Sequence, residues 1–282
     1  MSDCLIDTER LAQALDSAGD LVLVDCRFDL ARPEAGREAY RAGHLPGAVY
    51  AHLDEDLSGP TGPQTGRHPL PDVEGFAARC GEWGIGPGVR VVAYDDAGGA
   101  YAARLWWLLR WLGHAEVSVL DGGLDAWRES GRPQQTDVPR PSPRSFTGHP
   151  VEAMTLEAQA LQSALAARRC RLVDVRAAAR FRGEIEPIDP VAGHVPGAVN
   201  HPFTQLLDAR GRFLPAAELR AQFDALLDDH LPEALVAMCG SGVTACHLLL
   251  AMAHAGLPGG RLYPGSWSEW IRDPTRPVAS QT

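Results

Sequence analysis

Along this chain, short apolar runs alternate with longer segments whose apolar residues recur at helical spacing. LVLVD at Leu21–Asp25, the run Val89–Tyr94 and VSVL at Val117–Leu120 predict buried strands. Between them, Tyr101–Leu112 carries Trp106, Trp107 and Trp111 and predicts a buried helix whose role is core. Further on, LVAM at Leu235–Met238 predicts another buried strand, and Ala245–Ala255 the helix that follows it. Strand–helix alternation of this kind implies an α/β sandwich with a largely parallel sheet.

The pattern occurs twice. LVLVDCRF at Leu21–Phe28 returns as RLVDVRAA at Arg171–Ala178, and RAGHLPGAVY at Arg41–Tyr50 returns as VAGHVPGAVN at Val191–Asn200. VRVVAYDDAGG at Val89–Gly99 corresponds to EALVAMCGSGV at Glu233–Val243, and VLDGGLDAW at Val119–Trp127 to RLYPGSWSEW at Arg261–Trp270. The order is kept with small changes in length, so the chain is a duplicated domain. Between the copies, Gly131–Pro150 holds five prolines and little periodic apolar content. The expected division is a first domain over 1–135, a linker over 136–150 and a second domain over 151–282.

Composition narrows the function classes. The chain has 282 residues, 45% hydrophobic and 22% charged, as a soluble globular protein has. A net charge of −10 argues against nucleic acid and acidic membrane surfaces as partners. No apolar run approaches a membrane span, and MSDCLIDTERLAQAL has no basic segment before an apolar core, so no signal peptide is expected. Six irregularly spaced cysteines do not form a disulfide framework, and a reducing cytoplasm is the expected compartment.

One of those cysteines stands apart. Cys239 ends the Leu235–Met238 strand and is followed by GSGVT and a helix. In parallel α/β sheets, sites lie beyond the carboxyl ends of strands. Gly240 and Gly242 let the chain curl until backbone N–H groups converge on the sulfur, with a helix N-terminus behind them. Ser241 and Thr244 add hydroxyl donors, so the surroundings favour a sulfur anion. A cysteine phosphatase needs an arginine at the end of such a loop to clamp phosphate, and Ala245 stands there. Cys246 is too far along for a C-x-x-C redox pair, and a protease partner histidine elsewhere in the chain stays open. What remains is a loop that stabilises one extra anionic atom on Cys239, such as a terminal sulfur.

CGSGVTAC resembles the active-site loop of the rhodanese superfamily, and within it that of the 3-mercaptopyruvate sulfurtransferases. Thiosulfate-type rhodaneses put basic residues directly after the cysteine, where this chain has Gly240 and Ser241. The resemblance implies two tandem rhodanese-like domains, each a largely parallel sheet flanked by helices. It implies transfer of a sulfane sulfur from 3-mercaptopyruvate through a Cys239 persulfide, with Gly240, Gly242, Val243 and Thr244 shaping the loop. Thiosulfate is the alternative donor, and a non-catalytic module that binds a partner or senses redox state is the alternative class. Cyanide, a small thiol or a reduced thioredoxin is the implied acceptor, and the chemistry requires no metal or organic cofactor.

The same resemblance matches His44 to a histidine that acts with the loop serine, Ser241, with Asp29, Glu34 and Glu38 all open as its acidic partner. It matches Arg180 to the first of two substrate-binding arginines, Arg182 standing nearby. The second arginine normally follows Glu–Pro, but Glu186–Pro187 is followed by Ile188 and Asp189. A replacement is available in Asp54–Asp72, a Gly/Pro-rich excursion without a counterpart in the second copy, which carries Arg67 and His68. Features shared by both copies read as fold rather than chemistry: Asp25/Arg27 with Asp174/Arg176, and the GH-x-PGA turns. Asp95, followed by Asp96, stands where the second copy has Cys239 and cannot carry a sulfane sulfur.

Overall fold

The computed structural model describes residues 4–17 and 19–280. The described chain forms two compact units. One takes the residues up to Gly59, then Leu70–Val151 and Ala209–Phe213; the other takes Pro60–Pro69, Glu152–Asp208 and the residues from Leu214 on.

In the first unit the strands are β1 (Leu5–Ile6), β2 (Leu21–Asp25), β3 (Val49–Tyr50), β4 (Arg90–Tyr94) and β5 (Val117–Leu120). They form one sheet in the order β1-β5-β4-β2-β3, and every pairing is parallel. Helices α1 (Thr8–Asp16), α2 (Ala35–Ala42), α3 (Val73–Glu82), α4 (Ala102–Trp111) and α5 (Gly123–Glu129) complete it. The central β4 is buried from Val91 to Tyr94, which is why its sequence is continuously apolar instead of alternating. In α4 every residue but Arg110 is buried, and Trp107 stacks on Trp111 with ring centroids 5.8 Å apart. Short acidic caps set two helix starts: Asp7 accepts from Arg10 N–H and Asp72 from Gly75 N–H.

The second unit repeats the plan. Its sheet, β6 (Arg171–Asp174), β7 (Val199–Asn200), β8 (Leu235–Met238) and β9 (Arg261–Leu262), has the order β7-β6-β8-β9, all parallel. A single parallel bridge, Thr155 to Leu262, stands beyond β9 where β1 stands beyond β5. Its helices are α6 (Ala158–Ala166), α7 (Ala178–Arg182), α8 (Ala216–Leu227), α9 (Thr244–His254) and α10 (Ser266–Trp270). The expected strand Leu235–Met238 is β8, wholly buried, and the expected helix after Cys239 is α9. Met238, Tyr263, Trp267 and Trp270 pack in one core with Leu161 and Leu172.

Two features depart from the expected division. Residues 136–150 have little regular structure but are held along the first unit instead of hanging free. Arg144 N–H donates to Gly81 O, its guanidinium bonds Asp20 at 2.9 and 2.7 Å, and Val151 N–H donates to Trp111 O. Proline removes donors without preventing this, because the remaining N–H groups still find carbonyls. Pro60–Pro69, which the repeat assigns to the first copy, belongs to the second unit, and Ala209–Phe213 to the first. Among the described residues no helix is long and apolar enough to cross a membrane.

Candidate active site

The second unit converges on the first residue after β8. Cys239 is 2% exposed and tied down on three sides. Its N–H donates to Ser266 Oγ at 3.0 Å, its carbonyl accepts from Trp267 N–H at 3.0 Å, and the next carbonyl, Gly240, accepts from Ser268 N–H. Its sulfur accepts the Gly242 N–H at 3.1 Å. That contact needs the loop to double back within three residues. Gly242 does so at φ +79, and any side chain there would collide with the Pro264 carbonyl. Helix α9 starts at Thr244 without a side-chain cap, so the positive end of its dipole lies at the end of the loop.

Gly240 is small for a different reason. A Cβ built on it would lie 2.8 Å from Arg67 Nη2 and 3.6 Å from Arg180 Nη1. The two guanidinia therefore stand against the loop beside Cys239. Arg67 is brought there by Pro60–Pro69, whose Arg67 N–H donates to Ser268 Oγ at 3.0 Å. The next residue, His68, places Nδ1 2.7 Å from Ser241 Oγ, with both groups buried.

Behind the arginines runs a connected set of buried charges. Asp189 pairs with Arg67 Nη1 through Oδ1 and with Arg180 Nη2 through Oδ2, the latter at 3.2 Å. Glu186 holds Arg180 through Nε at 3.1 Å and Nη2 at 2.7 Å, and faces Arg176 Nη1 at 3.5 Å. Arg176 is paired with Asp174 at 2.7 Å and lies over the Trp267 ring, 4.7 Å from its centroid. Burial pushes the Glu186 carboxyl up, but Arg180 and the N–H groups of Asp189 and Ile188 outweigh it and hold it below the ordinary range. For Asp189 the balance falls the other way. Burial, with the nearby Glu186 charge, outweighs Arg67 and Arg180 and raises it.

The expected site residues separate on this geometry. Cys239, Gly240, Ser241, Gly242, Val243, Thr244, Arg180 and Arg67 belong to one neighbourhood. Arg182 does not: it is exposed and paired with Glu184. His44 is not the histidine on Ser241; His68 is. His44 lies in the first unit, buried and stacked on Tyr40 at 4.0 Å, with Nδ1 2.7 Å from Tyr40 O and Nε2 3.2 Å from Asp137 O. His194 repeats this in the second unit, stacked on Phe181 at 3.8 Å with Nδ1 2.8 Å from Phe181 O. Both histidines pin the same turn. Asp25/Arg27 and Asp174/Arg176 also repeat, each arginine bonding its aspartate and the carbonyl of Gly43 or Gly193. Ser241 turns its hydroxyl to His68. The signal for that histidine was its place in an excursion present in only one copy.

The first unit shows what this loop does for an anion. The Asp95 carboxylate, at the position of Cys239, accepts four backbone N–H groups: Ala97 at 2.9 Å and Gly99, Tyr101 and Ala102 each at 2.8 Å. The cradle is filled by its own side chain. In the second unit the cysteine side chain is shorter, and its sulfur meets a single N–H among the described residues, that of Gly242, at the start of the loop. The one cluster of metal-ligating type among the described residues, Glu34, His52 and Glu55, lies in the first unit. There Arg37 already pairs both carboxylates, and His52 Nδ1 accepts the N–H groups of Asp54 and Glu55.

Residues 7–130 and 157–273 each match the rhodanese-like domain family. Over 278 residues the chain is 49% identical to a Pseudomonas aeruginosa protein named "Probable 3-mercaptopyruvate sulfurtransferase", covering 98% of each. It is 35% identical over 288 residues to the thiosulfate sulfurtransferase of Bos taurus, covering 98% of this chain and 95% of that one. The solved structure of the 3-mercaptopyruvate sulfurtransferase from Leishmania major matches it with a TM-score of 0.83 at 30% identity, over 95% of this chain and 74% of that one.

Proposed function

The chain belongs to the rhodanese family and is a sulfurtransferase, and from that premise we propose that it moves a sulfane sulfur from 3-mercaptopyruvate to a thiophilic acceptor through a persulfide on Cys239. The observation that carries this reading is the meeting, beside Gly240, of the Cys239 loop and two guanidinia. An α-keto acid needs a cation for its carboxylate, and Arg67 and Arg180 supply two.

In the first half-reaction the Cys239 thiolate attacks the donor sulfur. A sulfur–sulfur bond forms and the carbon–sulfur bond breaks, its electron pair leaving on carbon as the enolate of pyruvate, which takes up a proton. The loop N–H groups, with Gly242 N–H already on the sulfur, stabilise the anion that develops on the persulfide. Ser241 and His68, joined at 2.7 Å, hold an exchangeable proton at the loop. In the second half-reaction cyanide, a small thiol or a reduced thioredoxin attacks the outer sulfur, and Cys239 leaves as thiolate. The chemistry is covalent and ping-pong, carried by the protein's own groups. The reading places the enzyme in a reducing cytoplasm, where thiol acceptors are abundant.

Thiosulfate is the second reading, favoured by the same arginine pair, since both guanidinia attract any small anion. Initial rates with each donor, with cyanide or a thiol as acceptor, separate the two. Intact-mass measurement after donor treatment tests the intermediate: one added sulfur on Cys239, and no turnover in Cys239→Ser. A stable persulfide on Cys246 or Cys170 with none on Cys239 overturns the mechanism.

A further inference from the structure

The arginine pair beside Cys239 is not a bare positive patch. Asp189 bridges both guanidinia with a single carboxylate, one oxygen on Arg67 Nη1 and the other on Arg180 Nη2. That is the contact a substrate carboxylate would make, so a group of the protein already occupies the outer edge of the pair. The N–H groups of Ile188 and Asp189 both donate to Glu186 Oε1 at 3.1 Å, the same oxygen that accepts from Arg180 Nη2 at 2.7 Å, which fixes the turn Pro187–Asp189 and aims its carboxylate at the pair.

The remaining donors face the other way. Arg67 Nη2 and Arg180 Nη1 are the guanidinium atoms nearest Gly240, and Arg67 Nε is buried with no hydrogen-bond partner among the described residues. A buried, unpartnered N–H on a charged group is an expensive arrangement unless a ligand completes it. The inner edge is thus shaped for an anion, while the connected set behind it is electrically balanced: Arg67, Arg176 and Arg180 against Asp174, Glu186 and Asp189.

We propose that Asp189 is a specificity-determining residue, a fixed negative charge that admits monoanionic donors to the Arg67–Arg180 edge and disfavours dianionic ones. The proposal rests on the reading of this edge as the donor site. A monoanionic α-keto acid finds directional donors there and no surplus positive field. Its single carboxylate is satisfied by hydrogen bonds, and Asp189 repels one charge only. A small dianion such as thiosulfate meets the same donors, but its second charge has no cation to answer it, and Asp189 acts on both charges. The interaction runs through a partly buried region where screening is weak, so one fixed charge is worth roughly tenfold or more in relative affinity. Where a second arginine after Glu186–Pro187 would make the site cationic, Ile188–Asp189 makes it neutral. The loop residue Arg67 restores the geometry of two cations without their net charge.

The test compares Asp189→Asn with the parent. Asparagine keeps the shape and one acceptor oxygen and removes the charge. The expected result is that kcat/KM for thiosulfate rises about tenfold or more relative to kcat/KM for 3-mercaptopyruvate, mainly through KM. Asp189→Ser is measured alongside, so that a variant that folds poorly does not decide the matter. A binding arm runs in parallel: protection of the Cys239 thiol from iodoacetamide by sulfate, a dianion, and by pyruvate, a monoanion. Sulfate protection should strengthen at least tenfold more than pyruvate protection in both variants. If the two donors and the two protectants shift together, or the dianions weaken, Asp189 is a clamp for Arg67 and the proposal is overturned. If neither donor places sulfur on Cys239 in the parent, the donor reading fails, and the protection ratio still decides whether Asp189 filters charge.

Discussion

Ser266 carries local strain beside Cys239. It is fully buried at φ 52, a left-handed backbone that costs a non-glycine residue about 1–3 kcal/mol. In the first copy the matching residue is Gly123, at φ +56, which bears that geometry without strain. The difference is a hydroxyl that accepts the Cys239 N–H at 3.0 Å and donates to Tyr263 O. Losing it leaves a buried N–H unsatisfied, at a cost of about 1–3 kcal/mol, the same size as the strain. Ser266→Gly removes both terms, so it should leave stability within about 1 kcal/mol of the parent while slowing persulfide formation. Ser266→Ala keeps the strain and loses the bond, and should destabilise by about 2 kcal/mol. Urea unfolding with single-turnover sulfur transfer checks this; an alanine variant as stable as the glycine one refutes it. The two acids behind the arginines make an opposed pair. Glu186, held low, contributes stability that is present at neutral pH and lost as pH falls through its folded pKa. Asp189, held high, is a carboxylate whose ionisation opposes folding, so stability from it grows as pH falls through its folded pKa. Glu186→Gln should therefore lower Tm at pH 7, with the gap closing toward acid, whereas Asp189→Asn should leave Tm at pH 7 equal or higher. Melting curves from pH 4 to pH 8 decide. A residue kept despite that cost fits a role in selection.

At the scale of the element, the strand–loop–helix unit occurs in both copies: in the first its N–H groups hold the loop's own carboxylate, and in the second the Gly242 N–H meets the Cys239 sulfur. The four N–H groups on Asp95 form a cradle that a shorter side chain leaves empty. Asp95→Ala should lower unfolding free energy by about 3 kcal/mol or more, since several buried donors lose a charged acceptor together. Sulfur transfer, measured well below the melting point, should stay within a few-fold of the parent. An Asp95→Ala protein as inactive as Cys239→Ser would mean that both loops share one reaction. Asp95→Cys should also lower stability and gain no persulfide, because DDAGG has no serine or histidine matching Ser241 and His68.

At the scale of the whole molecule, the chain's order and its compact units do not coincide. Pro60–Pro69 belongs with the second unit and carries two of the groups that face Cys239's loop. Replacing it in the full chain with a Gly/Ser loop of equal length removes Arg67 and His68 but little core, since the buried apolar residues lie elsewhere. Circular dichroism melts should change little, while kcat/KM with the donor falls by roughly a hundredfold or more, the scale of a lost charged hydrogen bond together with a lost proton carrier. Transfer that survives this replacement would place the donor elsewhere on the protein.

The duplicated α/β plan was legible in the chain alone, and so was the place of Cys239 at the end of a buried strand. A four-residue apolar run such as LVAM between turn signals suits a strand covered on both faces, and the glycines after Cys239 permit the tight curl that follows it. The decayed copy was legible too, because Asp95 is one substitution at one position of a repeat. These are local relations, written in neighbouring residues. Which histidine meets Ser241 is a different kind of fact. His44 matched by motif, yet its ring is spent on the Tyr40 turn, and His68 arrives from an excursion with no periodicity to say where it docks. The pairing of Arg67 with Arg180 was open in the sequence, but only the tertiary structure showed Asp189 and Glu186 bonded to them. Electrostatic partnership depends on distance through space, and only the folded chain sets those distances.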